Sequence, residues 1–337
     1  MPAAPSIEQL VEIWAPRLRR AFLAAIASIA DRAQVGVIAS MIQSGDINGA
    51  VEAVGLDPAA FRVLDAATTQ AFEAGGKATV EGFPALRQPN GHRLVIMFDV
   101  RNQSAEDWLR EHSSQKVTEI VEDQRTMIRA ALTAGMIEGR NPRDVALDLV
   151  GRIDPATGKR AGGTLGLTAH QEEWARRYAD QLARLDPAAL TRQLRDKRFD
   201  GTVRKAIEAG RPLTAEQIGK MATAYRNRAL RYRAETIGRT EAMAALHQSQ
   251  DEATQQAIDR GQINPAHVVE IWHATLDGRE RDTHRAMNGQ TVRRGQPFVS
   301  PSGARLRYPG DPRAPVSETA NCRCHVQVKV DFLAGVS

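Results

Sequence analysis

Cys322 and Cys324 are the only cysteines in the chain, and a single residue separates them. On an extended segment, side chains two apart project to the same face. Two thiolates on one face make half of a zinc site. Upstream, His284 offers an imidazole and Asp277 a carboxylate, so His284, Cys322, Cys324 and Asp277 form a candidate cluster for structural zinc. His273 and His325 are spare donors for a fourth position. The same residue types suit a second chemistry. A Cys beside a His and an acid is a nucleophile arrangement, which would make the chain a metal- or thiol-dependent hydrolase. A third reading needs no reaction: two small thiols packed beneath a hairpin, since free Cys is among the most buried residue types. A disulfide between them would close too short a loop to escape strain. No other feature requires a cofactor. HExxH, GxSxG, phosphate-loop and dinucleotide fingerprints do not occur, and Gly158-Lys159 lacks the Ser or Thr that a phosphate loop needs after its lysine.

The formal charge of +5 is unevenly placed. Residues 195–233 hold eleven Lys or Arg against four acids (Asp196, Asp200, Glu208, Glu216), a local excess of seven positive charges. Such a segment can contact DNA or an acidic partner through Arg226, Arg228, Arg231 and Arg233. The bland alternative is a solvated helix face, since aromatics for base stacking are sparse there. Glu241 and Arg239 lie further along the same helical pattern. Glu241 is expected to pair with Arg279, Arg281 or Arg323 rather than to act as a catalytic acid.

The elements that must position these residues read as mainly α. An extended multi-helix body is joined by a long helix to a small C-terminal α+β module. With 42% apolar and 5% aromatic residues, the core is built from Ala, Leu, Ile and Val. Ser6 caps a first helix carrying Leu10, Ile13 and Trp14, and the apolar stretch 22–42 is a buried helix pair. It is too interrupted by charge to span a membrane, and no signal peptide precedes it, so synthesis in a cytoplasm is expected. Asp57-Pro58 restarts the chain as cap and first helical residue, and Gly75-Gly76 breaks or ends that helix. A hinge is expected at 84–91 and a strand at 93–100 (RLVIMFDV). An amphipathic helix through Val117, Ile120, Val121, Ile128, Ala131 and Leu132 follows, then a cap at Asn141-Pro142 and a Gly-rich surface loop at 152–167. Capping boxes at Thr168/Gln171 and Thr214/Gln217 open two more helices, the second reaching about Arg260. Beyond Gly261 the texture changes. A strand at 268–272, a turn at Asp277-Gly278, a short helix at 281–287 and a turn at Asn288-Gly289 precede a hairpin and a last strand at 324–330. The expected divisions are 1–88, 89–233 (basic segment 195–233) and 234–332.

Within that last division a specific order of motifs occurs. Arg239-Thr240-Glu241 is followed by Trp272, Asp277 and Arg279 (WxAxxDxR), then His284 with Asn288-Gly289, then Pro309-Gly310-Asp311-Pro312, and finally Asn321-Cys322-Arg323-Cys324. This order resembles the C-terminal domain of the Mu protein F-like phage head morphogenesis family over about Ala234–Val330. The region from Phe61 through the central helices is similar to that family's helical part, less diagnostically. Where relatives often carry two cysteines, this chain has Arg281 and His284, so a four-cysteine site does not carry over. The resemblance implies a minor head protein of a tailed bacteriophage or prophage, placed at or near the portal vertex. It implies a role in head morphogenesis, extending to DNA packaging or ejection, and no settled catalytic activity. Its partners would be the portal protein, major capsid or scaffolding protein and packaged DNA, with no membrane. The protein would reside in the virion, in the capsid interior or at the portal vertex.

Overall fold

The structure, a computed structural model, describes residues 4–84 and 94–331. It is mainly α with a small C-terminal α+β module. The order is α1 (Ile7–Arg32), α2 (Val35–Gln43), α3 (Ile47–Ala53), α4 (Arg62–Gly82), α5 (Gln103–Ile137) and α6 (Pro142–Val150). The short strands β1 (Arg152–Ile153) and β2 (Arg160–Ala161) follow, then α7 (Ala169–Ala183), α8 (Asp200–Ala209) and α9 (Ala215–Asp259). The module contains β3 (Val268–His273), α10 (Asp282–Met287), β4 (Thr291–Arg293), β5 (Phe298–Val299), β6 (Arg305–Leu306), α11 (Val316–Thr319) and β7 (His325–Val330).

The helices start where the caps direct. Ser6 and Gln9 satisfy each other's backbone amides at the start of α1, as Thr168 and Gln171 do for α7 and Thr214 and Gln217 for α9. Asp57 and Asn141 accept from the amides of Ala59 and Arg143 just ahead of α4 and at α6, each followed by proline. No single described helix is long and apolar enough to cross a membrane. Only α1 and α2 taken together approach that composition, and they are bent by 67°.

The chain divides into two compact units that interleave along the sequence rather than following three consecutive stretches. Unit 1 comprises residues 1–21, 64–114 and 235–337, and unit 2 comprises 22–63 and 115–234. The expected break at 233/234 nearly coincides with one boundary. The others fall inside α1, α4 and α5, because long helices contribute residues to both units.

Unit 2 packs Tyr178, Leu182, Val203, Met221 and Tyr225 into one apolar cluster, the two tyrosine rings stacked at 4.8 Å. Its Gly-rich segment is not wholly a surface loop. After the β1–β2 hairpin, Thr164, Leu165 and Leu167 are buried, and Gln124 holds the backbone of Gly166 and Leu167.

In unit 1, Gly75 and Gly76 do not end a helix. Both lie inside α4 and are buried. A Cβ on Gly75 would collide with Ser249 and Leu246 of α9, and one on Gly76 with the Phe98 ring. They are glycine because other groups approach the helix backbone there, not because the helix stops. Residues 94–100 form no strand, and no strand among the described residues pairs with them. Side chains near the C-terminal end of α9 hold this stretch instead. Gln256 bonds both the amide and carbonyl of Asp99 at 2.9 Å, Gln262 donates to Val95 O, and Arg260 donates to Met97 O. The expected hinge at 84–91, apart from Pro84, lies outside the described residues, as does Arg93.

The module's sheet has the antiparallel order β4–β3–β7, with Trp272 opposite Val326 and His273 opposite His325. Alternation along β3 buries Val268, Glu270 and Trp272 on one face. The hairpin β5–β6 pairs Phe298 with Leu306, both buried.

Candidate metal centre

Three short elements bring the cluster together around Trp272, which is fully buried at the end of β3. Asn288-Gly289 turns the chain back onto that strand. The Gly289 amide donates to Trp272 O at 2.8 Å with Gly289 at φ +81°, and Asn288 Oδ1 accepts from the Ala274 amide. The helix α10 just before this turn carries His284, whose ring meets the Trp272 indole edge-on at 5.3 Å. On the far side, α11 supplies Glu318, and the chain then bends through Asn321 at φ +54°, a conformation that Asn tolerates better than most residues. Asn321 is anchored to α9 by Thr240 Oγ1 at 3.4 Å and Thr236 Oγ1 at 3.2 Å. Arg281 donates to Ala320 O, tying the start of α10 to the same bend. Cys322 and Cys324 follow directly.

His284 Nδ1 lies 3.5 Å from Cys322 Sγ and 3.4 Å from Cys324 Sγ. The three donor atoms all sit within 4.8 Å of one another, and the three residues are between 1% and 3% exposed. On the opposite edge of the imidazole, Nε2 is 2.9 Å from Glu318 Oε2, a contact by distance although not aligned as a hydrogen bond. Glu318 also accepts from Ser302 Oγ at 2.6 Å, Ser300 Oγ at 3.0 Å and Thr283 Oγ1 at 3.2 Å. Burial opposes ionisation of this carboxyl, but the hydroxyl donors and His284 outweigh it and hold the group below the usual carboxylate range. The two thiols behave as one unit. Their mutual hydrogen bond, helped by His284 and opposed by burial, pulls Cys322 well below the ordinary thiol range. The same bond, with burial, pushes Cys324 up.

Residues 197–327 match the family described as Phage Mu protein F like protein. This stretch is Mu F-like. No curated protein and no solved structure matches the chain. The Mu F-like stretch begins upstream of the motif-bearing residues, taking in α8 and α9, and ends within β7.

Within the Mu F-like stretch, most motif residues serve internal structure. Asp277 is a correction to the expected ligand set. It lies outside the cluster and binds Arg323 and Arg279, which hold its carboxyl well below the usual range. His273 and His325 stack on each other at 5.0 Å across β3 and β7, also outside the donor group. Glu241 does not pair with Arg279, Arg281 or Arg323. Its carboxylate lies 2.6 Å from His112 Nε2, whose ring stacks on Trp108 at 4.5 Å. Arg239 pairs with Glu12 at 2.9 Å. Asp311 accepts from the Arg307 backbone and guanidinium and from the Arg313 amide, closing the loop that lays Gly310 (φ +81°) against Met243 and Ala244 of α9.

The four arginines expected on a contact surface also divide. Arg226 makes a two-pronged bond to Glu172 at 2.7 and 2.9 Å. Arg233, 7% exposed, reaches Asp123 at 2.8 Å, and Arg228 reaches Asp196 at 3.2 Å. Of the four, only Arg231 is an exposed residue. Sequence reasoning missed Glu318 as the partner of His284, and Arg294, whose buried guanidinium joins Asp251, Glu270 and Gln255. Nothing in the local pattern marks either one, because their partners come from distant stretches of the chain.

Proposed function

We propose that this chain is a phage head protein, specifically a minor head protein of a tailed phage or prophage that acts in head morphogenesis at or near the portal vertex. The Mu F-like match over residues 197–327 carries the reading. The burial of the Cys–His cluster favours an assembly role over a hydrolase. A nucleophilic sulfur 1% or 3% exposed offers a substrate no approach in this conformation. The residues that resemble acids and bases, Glu241, Asp277 and Asp311, are engaged in internal pairs.

The test is co-expression of the full chain with the portal and scaffolding proteins encoded in the same phage genome, followed by size-exclusion chromatography. Co-elution with the portal supports the reading. Separate elution from both proteins, together with absence from purified particles, overturns it.

Contact with packaged DNA is a second element of the proposal. Lys197, Arg204, Lys205, Arg211 and Arg231 are exposed, with no acidic partner among the described residues. DNA binding through them should weaken steeply with salt, and neutralising them should flatten that dependence.

A further inference from the structure

We infer that Cys322 Sγ, Cys324 Sγ and His284 Nδ1 form a structural Zn2+ site, and that Glu318 is the residue that holds His284 in its ligating orientation. Zinc–sulfur bonds of about 2.3 Å and zinc–nitrogen bonds of about 2.05 Å at a tetrahedral angle put sulfur and nitrogen about 3.6 Å apart. The observed separations are 3.5 and 3.4 Å, so both sulfur–nitrogen edges match those around a tetrahedral zinc, and all three donor atoms lie within 4.8 Å of one another.

The donor set is selective. Thiolates are soft ligands that hard cations such as Mg2+ and Ca2+ avoid, while paired thiolates with an imidazole suit zinc. As the two zinc–sulfur bonds form, the thiol protons leave to solvent, and the two thiolate charges balance the ion. A tetrahedral zinc takes a fourth ligand beyond these three protein donors.

For Nδ1 to ligate, the imidazole proton must lie on Nε2. That atom faces Glu318 Oε2 at 2.9 Å, and Glu318 is itself fixed by Ser300, Ser302 and Thr283. A carboxylate behind a ligating histidine fixes its tautomer and raises its basicity. Trp272 edge-on to the ring leaves little freedom to turn away. The site would cross-link α10 to the chain following α11, two elements of six and four residues that offer little apolar area of their own.

The experiment uses the full chain purified after expression with added zinc. Metal analysis should find about one zinc per chain. Exchange for Co2+ should give thiolate-to-metal charge-transfer absorption and the visible bands of a tetrahedral site. Glu318→Gln should keep its helical circular dichroism but lose metal to a chelator at a concentration about 10- to 100-fold lower, as loss of a supporting residue does. A folded wild-type chain that contains no zinc and develops no Co2+ bands overturns the site and leaves a network of thiol and imidazole hydrogen bonds. Glu318→Gln retaining metal as tightly as wild type overturns the role of Glu318. Neither arm depends on a cysteine variant, whose loss of metal could not be told from loss of fold. The inference does not rest on the phage-head reading, and portal binding can fail without affecting it.

Discussion

Unit 2 and the C-terminal module of unit 1 are stabilised in different ways. Around α7, a helix of 15 residues, unit 2 buries an apolar stripe of Ala175, Tyr178 and Leu182 against Met221 and Tyr225 of α9. Its part-buried Arg226 and buried Arg233 each meet one carboxylate. The module's strands run from two to six residues, too short to present such a stripe. There, polar networks occupy the interior: His284 with Glu318 and the thiols, Arg294 with Asp251 and Glu270, and Arg307 with Asp311. A long helix can be positioned by apolar area alone. Short strands need directional partners to fix which residue faces which.

That contrast can be broken most directly at Trp272. Trp272→Ala removes the module's largest fully buried side chain and should cost about 3–5 kcal/mol. Hydrogen exchange should then show protection lost in β3 and β7. Unchanged protection would mean the polar networks hold the module without an aromatic hub. Next in size, Arg294→Ala leaves Glu270 with an uncompensated buried charge, while Asp251 is part-exposed, and should cost about 3 kcal/mol in chemical denaturation. Arg294→Met combined with Glu270→Leu should recover most of that loss, if the network specifies register more than it adds stability.

A smaller effect is expected at Asp196 in unit 2. Hydrogen bonds from Arg198 lead the causes that bring its carboxyl down to about 2, although burial opposes them. A depressed folded value means the stabilisation is complete above the ordinary carboxylate range and is lost as pH falls towards 2. Arg198 is largely exposed, which limits the contribution to about 1 kcal/mol. Melting curves of wild type and Asp196→Asn should therefore differ at pH 6 and converge near pH 2. Smallest of all, Arg204→Gln, Lys205→Gln and Arg211→Gln should change stability by less than about 0.5 kcal/mol. Arg226→Gln should destabilise unit 2 by exposing the need of Glu172 for a partner. Only the first set therefore tests DNA contact cleanly.

Local signals were legible in the sequence, and distant partnerships were not. The capping boxes at Thr168 and Thr214 and the cap-then-proline pairs at Asp57 and Asn141 act over two or three residues. The Cys–His convergence was also legible, because a strand ending at Trp272 and a turn at Asp277-Gly278 put His284 just beyond a strand end, in the small sheet that must also take the last strand. What failed depended on what lies opposite. Gly75-Gly76 reads as a breaker until Ser249 and Phe98 are seen against it. The stretch at 94–100 has strand composition, but no strand among the described residues pairs with it. Glu241 finds His112 across 129 residues, and Arg226 finds Glu172 across 54. Composition made Arg226 look like a surface cation, whereas its neighbour in space makes it an internal one.

The interleaving of the two units bears on how the chain is made. Every residue assigned to unit 2 has been synthesised once Ala234 emerges, whereas unit 1 lacks β3 until residue 273 and β7 until residue 330. At translation speeds of about 5–20 residues per second, residues 64–114 wait on the order of ten to forty seconds for the strands that complete their unit. Unit 2 can therefore close first on the ribosome, while the early half of unit 1 remains an unfinished surface exposed to chaperones and proteases. A premature stop before β7 would remove more than one strand: it would leave residues 64–114 without part of the unit they share with it.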